Sequence, residues 1–125
     1  MQIRYKNTLV IAVCVVLGAL IVSFNPTVSS DNKTFDTRQN LAMVAAGLSL
    51  YQQIYGRFPA TGQGLASLLG NNNQDPVMTK LPLDGWSQSL IYHHPAKCQT
   101  DKPYDLYSSG ENRLDECMRG DDIVH

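Results

Sequence analysis

Leu48-Ser49-Leu50-Tyr51-Gln52-Gln53-Ile54-Tyr55-Gly56-Arg57-Phe58-Pro59-Ala60-Thr61-Gly62-Gln63-Gly64-Leu65-Ala66-Ser67-Leu68-Leu69 is the stretch on which the fold turns. Upstream of Gly56, the apolar residues Leu41, Val44, Leu48, Tyr51 and Tyr55 recur at alternating steps of three and four, which aligns them on one face of an α-helix. Gly56 suits the left-handed backbone that closes a helix. Pro59 lacks an N–H and restricts Phe58 before it, so the chain must turn there. Thr61 is placed to cap a second, short helix through Leu65, Leu68 and Leu69, ended by Gly70 and Asn71-Asn72-Asn73. The centre of the chain therefore reads as a long helix, a tight corner and a small helix.

Outward from this stretch, 125 residues allow one globular domain plus an N-terminal segment. Ten basic residues against eleven acidic ones leave no basic surface of the kind that nucleic acid requires, which excludes that class of partner.

Thr8 to Phe24 is an uncharged apolar run of seventeen residues behind Arg4 and Lys6. As a helix it extends about 25 Å, the short limit for a membrane crossing and longer than most signal-peptide cores. The basic flank places the N-terminus in the cytoplasm and exports the rest of the chain. The reading is a leader and membrane segment over 1–30 and an exported domain over 31–125, in a single-pass protein of the bacterial inner membrane with its C-terminal domain in the periplasm. The alternative is a signal peptide cleaved at Val28-Ser29-Ser30 before Asp31, which would release the domain as a free periplasmic or secreted module stabilised by calcium or a disulfide.

Within the domain, Asp31 to Asp36 is polar and reads as a loose link, with Thr34 or Asp36 available to cap the long helix. Ala42-Met43-Val44-Ala45-Ala46-Gly47 is more apolar than a one-sided stripe requires; plain packing against a sheet is the first reading, packing against neighbouring helices of an assembly the second. Leu81-Pro82-Leu83-Asp84-Gly85-Trp86 marks a turn with a large aromatic anchor. Ser89-Leu90-Ile91-Tyr92-His93 and Tyr104-Asp105-Leu106-Tyr107-Ser108 read as antiparallel strands of a small sheet of two or three strands, which needs the helix face as its cover. The expected class is α+β.

These residues resemble the G-type major pseudopilin of type II secretion, also called general secretion pathway protein G. The likeness covers Leu48 to Ile123, about sixty per cent of the chain. It rests on Tyr51, Gly56-Arg57-Phe58-Pro59, Gln63-Gly64-Leu65, Pro82-Leu83-Asp84-Gly85-Trp86-Ser87, Tyr104 to Ser108 and Asp122-Ile123, in that order. The resemblance implies a pilin-like fold, a long N-terminal helix packed on a small antiparallel sheet with an acidic C-terminal loop. It implies a structural or accessory filament subunit in the export of folded proteins, working by contact with other pseudopilins, with inner-membrane secretion components or, as a homo-oligomer, with copies of itself. The family is processed after a glycine that precedes a phenylalanine and carries a glutamate five residues into the mature helix. Lys6, Asn7 and Ile11 stand at those places here, which predicts an uncleaved, membrane-anchored homologue.

Ser109-Gly110-Glu111-Asn112, Asp115-Glu116 and Asp121-Asp122 place five carboxylates within a dozen residues. Ca²⁺ takes about six to eight oxygens, which an acidic loop bearing a glycine can supply. The resemblance implies Ca²⁺ ligands at Asn112, the carbonyl of Ser109, and Asp121 with Asp122, with Asp115 as a substitute. Asn112 is neutral where the family has an acid, and Arg113 and Arg119 lie close, both of which weaken affinity. The other reading is a solvated, partly ion-paired loop.

Cys98 and Cys117 fall in the polar C-terminal third, and spacing alone leaves them equally open to pairing or to remaining two thiols. A bridge between them would close about twenty residues and add about 3 kcal/mol of stability, holding the loop where similar proteins use metal. His93 and His94 are adjacent, so on a strand they point to opposite faces, and no third ligand completes a zinc site. No nucleophile turn and no apolar cleft around a carboxylate is legible, so no enzyme is expected.

Overall fold

The computed structural model describes residues 29–125. The apolar run Thr8 to Phe24, with Cys14 and the positions Lys6, Asn7 and Ile11, lies outside the described residues. Among the described residues no helix is long and apolar enough to cross a membrane.

Helix α1 spans Ser30–Tyr55, 26 residues with no proline to interrupt them. Leu41, Val44, Leu48 and Tyr51 are buried along it as the periodicity requires, and Tyr55 is half-buried. It ends at Gly56, whose backbone is left-handed at φ 72° and whose N–H donates to the Gln52 carbonyl at 2.8 Å. The start of α1 corrects the sequence reading. Ser29 is the boundary residue and makes no side-chain cap bond, while Thr34 and Asp36 lie inside the helix. The polar segment stays helical because it has a tertiary partner: Thr37, buried, donates to the Lys33 carbonyl at 2.7 Å and accepts the Gly85 N–H at 2.8 Å. A packing contact has overridden a local preference for a loose link.

After the Gly56 corner, Leu65–Leu69 forms a 3-10 helix rather than an α-helix, and Gly64, not Thr61, precedes it. Gly64 sits at φ 62°, a left-handed step that separates Thr61 from the helix it was expected to cap. Thr61 instead stitches the corner to the loop beyond the first strand, its hydroxyl donating to the His94 carbonyl at 3.0 Å and accepting the His94 N–H at 2.9 Å.

Strands β1 (Ile91–His93), β2 (Asp105–Ser108) and β3 (Ile123–Val124) form an antiparallel sheet in the order β1-β2-β3. Tyr92 pairs with Leu106 and His93 with Asp105, and Ser108 pairs with Ile123. The third strand was not placed from the sequence, since two residues carry no alternation. Leu41, Val44, Leu48 and Tyr51 of α1 meet Leu68, Tyr92, Leu106 and Ile123 in one core, with Trp86 and Phe58 at its margin. Successive strand residues face opposite sides, so Leu106 and Ser108 face the helix layer while Asp105 and Tyr107 face away. All four are nonetheless buried. The second face of β2 is covered by two loops, 94–104 and 109–122, and that cover is where the polar chemistry of the domain collects.

Candidate functional site

Asp105 lies at the centre of this cover. Fully buried, its carboxylate accepts the backbone N–H groups of Lys97, Cys98 and Gln99 at 2.6, 2.8 and 3.1 Å, and His93 Nδ1 stands 3.3 Å from it. Burial pushes its pKa up, but three amide dipoles and His93 together outweigh that and hold it below the usual carboxylate range. His94 uses its Nδ1 on the Pro103 carbonyl at 2.7 Å. The two histidines thus diverge and are both hydrogen-bonded.

Tyr107, also fully buried, reaches across to the second loop. Its hydroxyl donates to Asp115 Oδ1 at 2.8 Å and lies 3.7 Å from Cys98 Sγ. Burial and then the bond to Asp115 push the tyrosine pKa well above its ordinary value. The same contact, with the N–H of Cys117 at 3.1 Å, lowers that of Asp115. Cys98 and Cys117 are joined in a disulfide, with Cα atoms 5.3 Å apart, well within the range a bridge spans. One covalent bond therefore ties loop 94–104 to loop 109–122 across the outer face of β2.

Loop 109–122 is built against its backbone preferences. Arg113, Cys117 and Met118 have left-handed backbone at φ 62°, 58° and 64°, besides Gly110 and Gly120. Each such residue with a side chain costs about 1–2 kcal/mol and persists only where its surroundings fix it. Asp122 Oδ2 supplies part of that by accepting the N–H groups of Glu116 and Met118 at 3.1 and 2.8 Å. Asp121 Oδ2 accepts the Asn112 N–H at 2.8 Å, and Asn112 Oδ1 accepts that of Leu114 at 2.8 Å. Glu116 binds the Asp121 N–H and the Asn112 side-chain amide at 3.0 and 2.9 Å, and these bonds lower its pKa.

The residues expected to hold Ca²⁺ are thus all in one loop, and Asn112, Asp115, Asp121 and Asp122 each accept a neighbouring N–H or O–H. Ser109 is buried and turns its hydroxyl to Gln88 Oε1 at 3.1 Å. Ligands of one Ca²⁺, at about 2.4 Å from the ion, lie within roughly 5 Å of one another. Among the described residues, the trio of His, Cys, Asp or Glu whose ligand atoms all lie within 4.8 Å of one another is His93, Cys98 and Asp105, outside this loop. Cys98 in that trio is spent in the disulfide. Asp122 Oδ1 is buried without a protein partner.

A second hub escaped the sequence reading. Asp84, buried, accepts the N–H groups of Trp86 and Gln88 at 2.9 and 2.8 Å through Oδ1, and the Gln88 side chain and Ser108 hydroxyl at 3.1 and 2.6 Å through Oδ2. It ties the 82–87 turn to β2. An acid at the first position of an Asp-Gly turn was the available signal, since that side chain readily bonds the backbone two residues on.

Outside these polar clusters, α1 carries a second apolar stripe on its solvent side. Met43, Leu50 and Ile54 are exposed, and Met43 and Leu50 line, with Ala46, Gly47, Val77 and Met78, an open groove of about 450 Å³. The segment Ala42 to Gly47 divides between the two readings: Val44, Ala45 and Gly47 face the core, and Ala42, Met43 and Ala46 face solvent.

Comparison with known proteins agrees with this arrangement. Residues 27–124 match the family described as Type II secretion system (T2SS), protein G. The chain is 32% identical over 113 residues to the type II secretion system core protein G of Pseudomonas aeruginosa, covering 81% of this chain and 78% of that protein. It is 25% identical over 128 residues to the protein of the same name from Escherichia coli K12, covering 93% of this chain and 85% of the other. The crystal structure of the major pseudopilin from the type 2 secretion system of enterohaemorrhagic Escherichia coli superposes with a TM-score of 0.63 at 23% identity, over 75% of this chain and 82% of that one, which establishes the shared fold.

Proposed function

The chain belongs to the type II secretion system protein G family, and from that premise we propose that it is a structural pseudopilin subunit of a type II secretion filament, acting by protein–protein contact in the export of folded proteins. The observation that carries this reading is the family match over 27–124, which takes in nearly the whole described domain. The pilin-like architecture supports it, with α1 packed on a small antiparallel sheet.

The partners are other pseudopilins, and the surface we assign to them is the outer stripe of α1. Met43, Leu50 and Ile54 are large, apolar and exposed on one side of a helix whose other side is already in the core, and a continuous exposed apolar stripe is the kind of surface that marks a protein–protein contact. The run Thr8 to Phe24 serves as the inner-membrane anchor, with the domain from Asp31 onward in the periplasm. The polar clusters of the domain are structural, each carboxylate being occupied by backbone donors, and the role is not catalytic.

The test is secretion of a folded substrate by cells in which this chain is the only G subunit. Leu50→Glu leaves the core untouched and is expected to lower secretion at least about tenfold while the melting temperature stays within about 2 °C of the wild type, as a surface change should. Secretion unaffected by a charge placed on the stripe would overturn the assignment of that surface.

A further inference from the structure

We propose that the C-terminal loop is locked by the Cys98–Cys117 disulfide together with carboxylate-to-amide bonds, and that it takes no resident Ca²⁺. This lock goes beyond the filament role and stands whether or not that role is correct.

A calcium loop is organised outward from an ion: carboxylate and carbonyl oxygens converge on one point, and the ion's charge offsets their mutual repulsion. Loop 109–122 is organised the other way. Four of its carboxylates, Asp115, Glu116, Asp121 and Asp122, each accept hydrogen bonds from donors of the chain. Asp115 takes the Tyr107 hydroxyl and the Cys117 N–H, Asp122 takes the N–H groups of Glu116 and Met118, and Asp121 takes that of Asn112. Glu116 takes the Asp121 N–H. Donors of this kind stabilise an ionised carboxylate much as a cation does. The left-handed pair Cys117 and Met118 makes the arrangement possible, because it turns the N–H groups of three successive residues, Glu116 to Met118, toward Asp115 and Asp122. Asn112, the one neutral residue among the expected side-chain ligands, spends its side-chain oxygen on the Leu114 N–H and its amide on Glu116. Asp122 Oδ1 is the buried carboxylate oxygen left without a protein partner.

The disulfide supplies the long-range tie that an ion would otherwise give. Its Cys117 end sits in the left-handed pair, and its Cys98 end sits between the Lys97 and Gln99 N–H groups that hold Asp105. Loop 109–122, β3 and the cover over Tyr107 are thereby fixed to loop 94–104.

The experiment uses the full chain in detergent, with thermal unfolding followed in excess EGTA, in millimolar Ca²⁺, and in each again after reduction by a phosphine. With the disulfide intact, EGTA and Ca²⁺ are expected to give melting temperatures within about 1 °C of each other. Reduction is expected to lower the melting temperature by on the order of 10 °C in both. Hydrogen exchange at the Cys117 and Met118 amides gives a second readout: they stay protected in EGTA and lose protection on reduction. A fall of several degrees in EGTA with the disulfide intact would overturn the proposal, as would loss of amide protection in EGTA or a melting temperature indifferent to reduction.

Discussion

Two acids, Asp84 and Asp105, hold more of this domain together than any residue singled out for a ligand role. Each is buried in a setting that would be costly for a charge, and each is stabilised by donors drawn from elements distant in sequence. Asp105 and Asp115 have lowered pKa values in the fold, so the folded state holds the ionised form of each more firmly than the unfolded chain does. The stability they contribute is complete above about pH 4, where unfolded carboxylates ionise, and is lost as pH falls through the lowered folded values. The melting temperature should therefore drop steeply below about pH 4, and Asp105→Asn should be less stable at pH 7 and show a shallower acid drop. An unchanged acid profile in Asp105→Asn would show that the loss comes from elsewhere. Neither acid was legible beforehand as buried, because the sequence presents Asp105 as the polar position of an alternating strand, and burial of both faces of β2 is decided by loops. The cysteines were legible as a pair, but spacing could not decide whether they bond.

At the scale of elements, the long helix and its stop were legible because apolar periodicity, Gly56 and Pro59 all point the same way. The start of α1 was not, since Ser30 to Asp36 is polar and its helicity depends on a contact 48 residues away, between Thr37 and Gly85. The glycines at this level separate into two kinds. A Cβ on Gly85 would meet the carbonyl and Cα of Lys33, backbone atoms that cannot step aside, whereas a Cβ on Gly47 would meet the sulfur of Met78, the far end of a flexible side chain. Gly85→Ala is expected to destabilise by about 2 kcal/mol or more by prising the 82–87 turn from α1. Gly47→Ala should remain within about 1 kcal/mol of the wild type, its gain in helix propensity offsetting the displacement of Met78. Equilibrium denaturation of the two variants checks the contrast, and equal losses would mean that the turn moves as easily as a thioether. The short β3 shows the limit of periodicity, for Ile123 and Val124 pair with β2 only because loop 109–122 returns them to it.

At the largest scale, the described residues form a helix, a sheet and a pair of tied loops in three layers, with one apolar face of the helix in the core and another in solvent. The second face is the surface proposed to meet other pseudopilins, and it is where the filament role can be tested most directly. The most direct measurement is crosslinking in intact cells that make the secretion machinery, with Met43→Cys and Ile54→Cys each placed singly in a Cys14→Ser background. Oxidation or a short bifunctional thiol reagent is expected to give a ladder of dimers and higher multimers in the envelope fraction at both positions, and none from a control cysteine at Asp101, away from the stripe. Monomers alone at Met43 and Ile54, or protein that washes free of the envelope, would contradict the account.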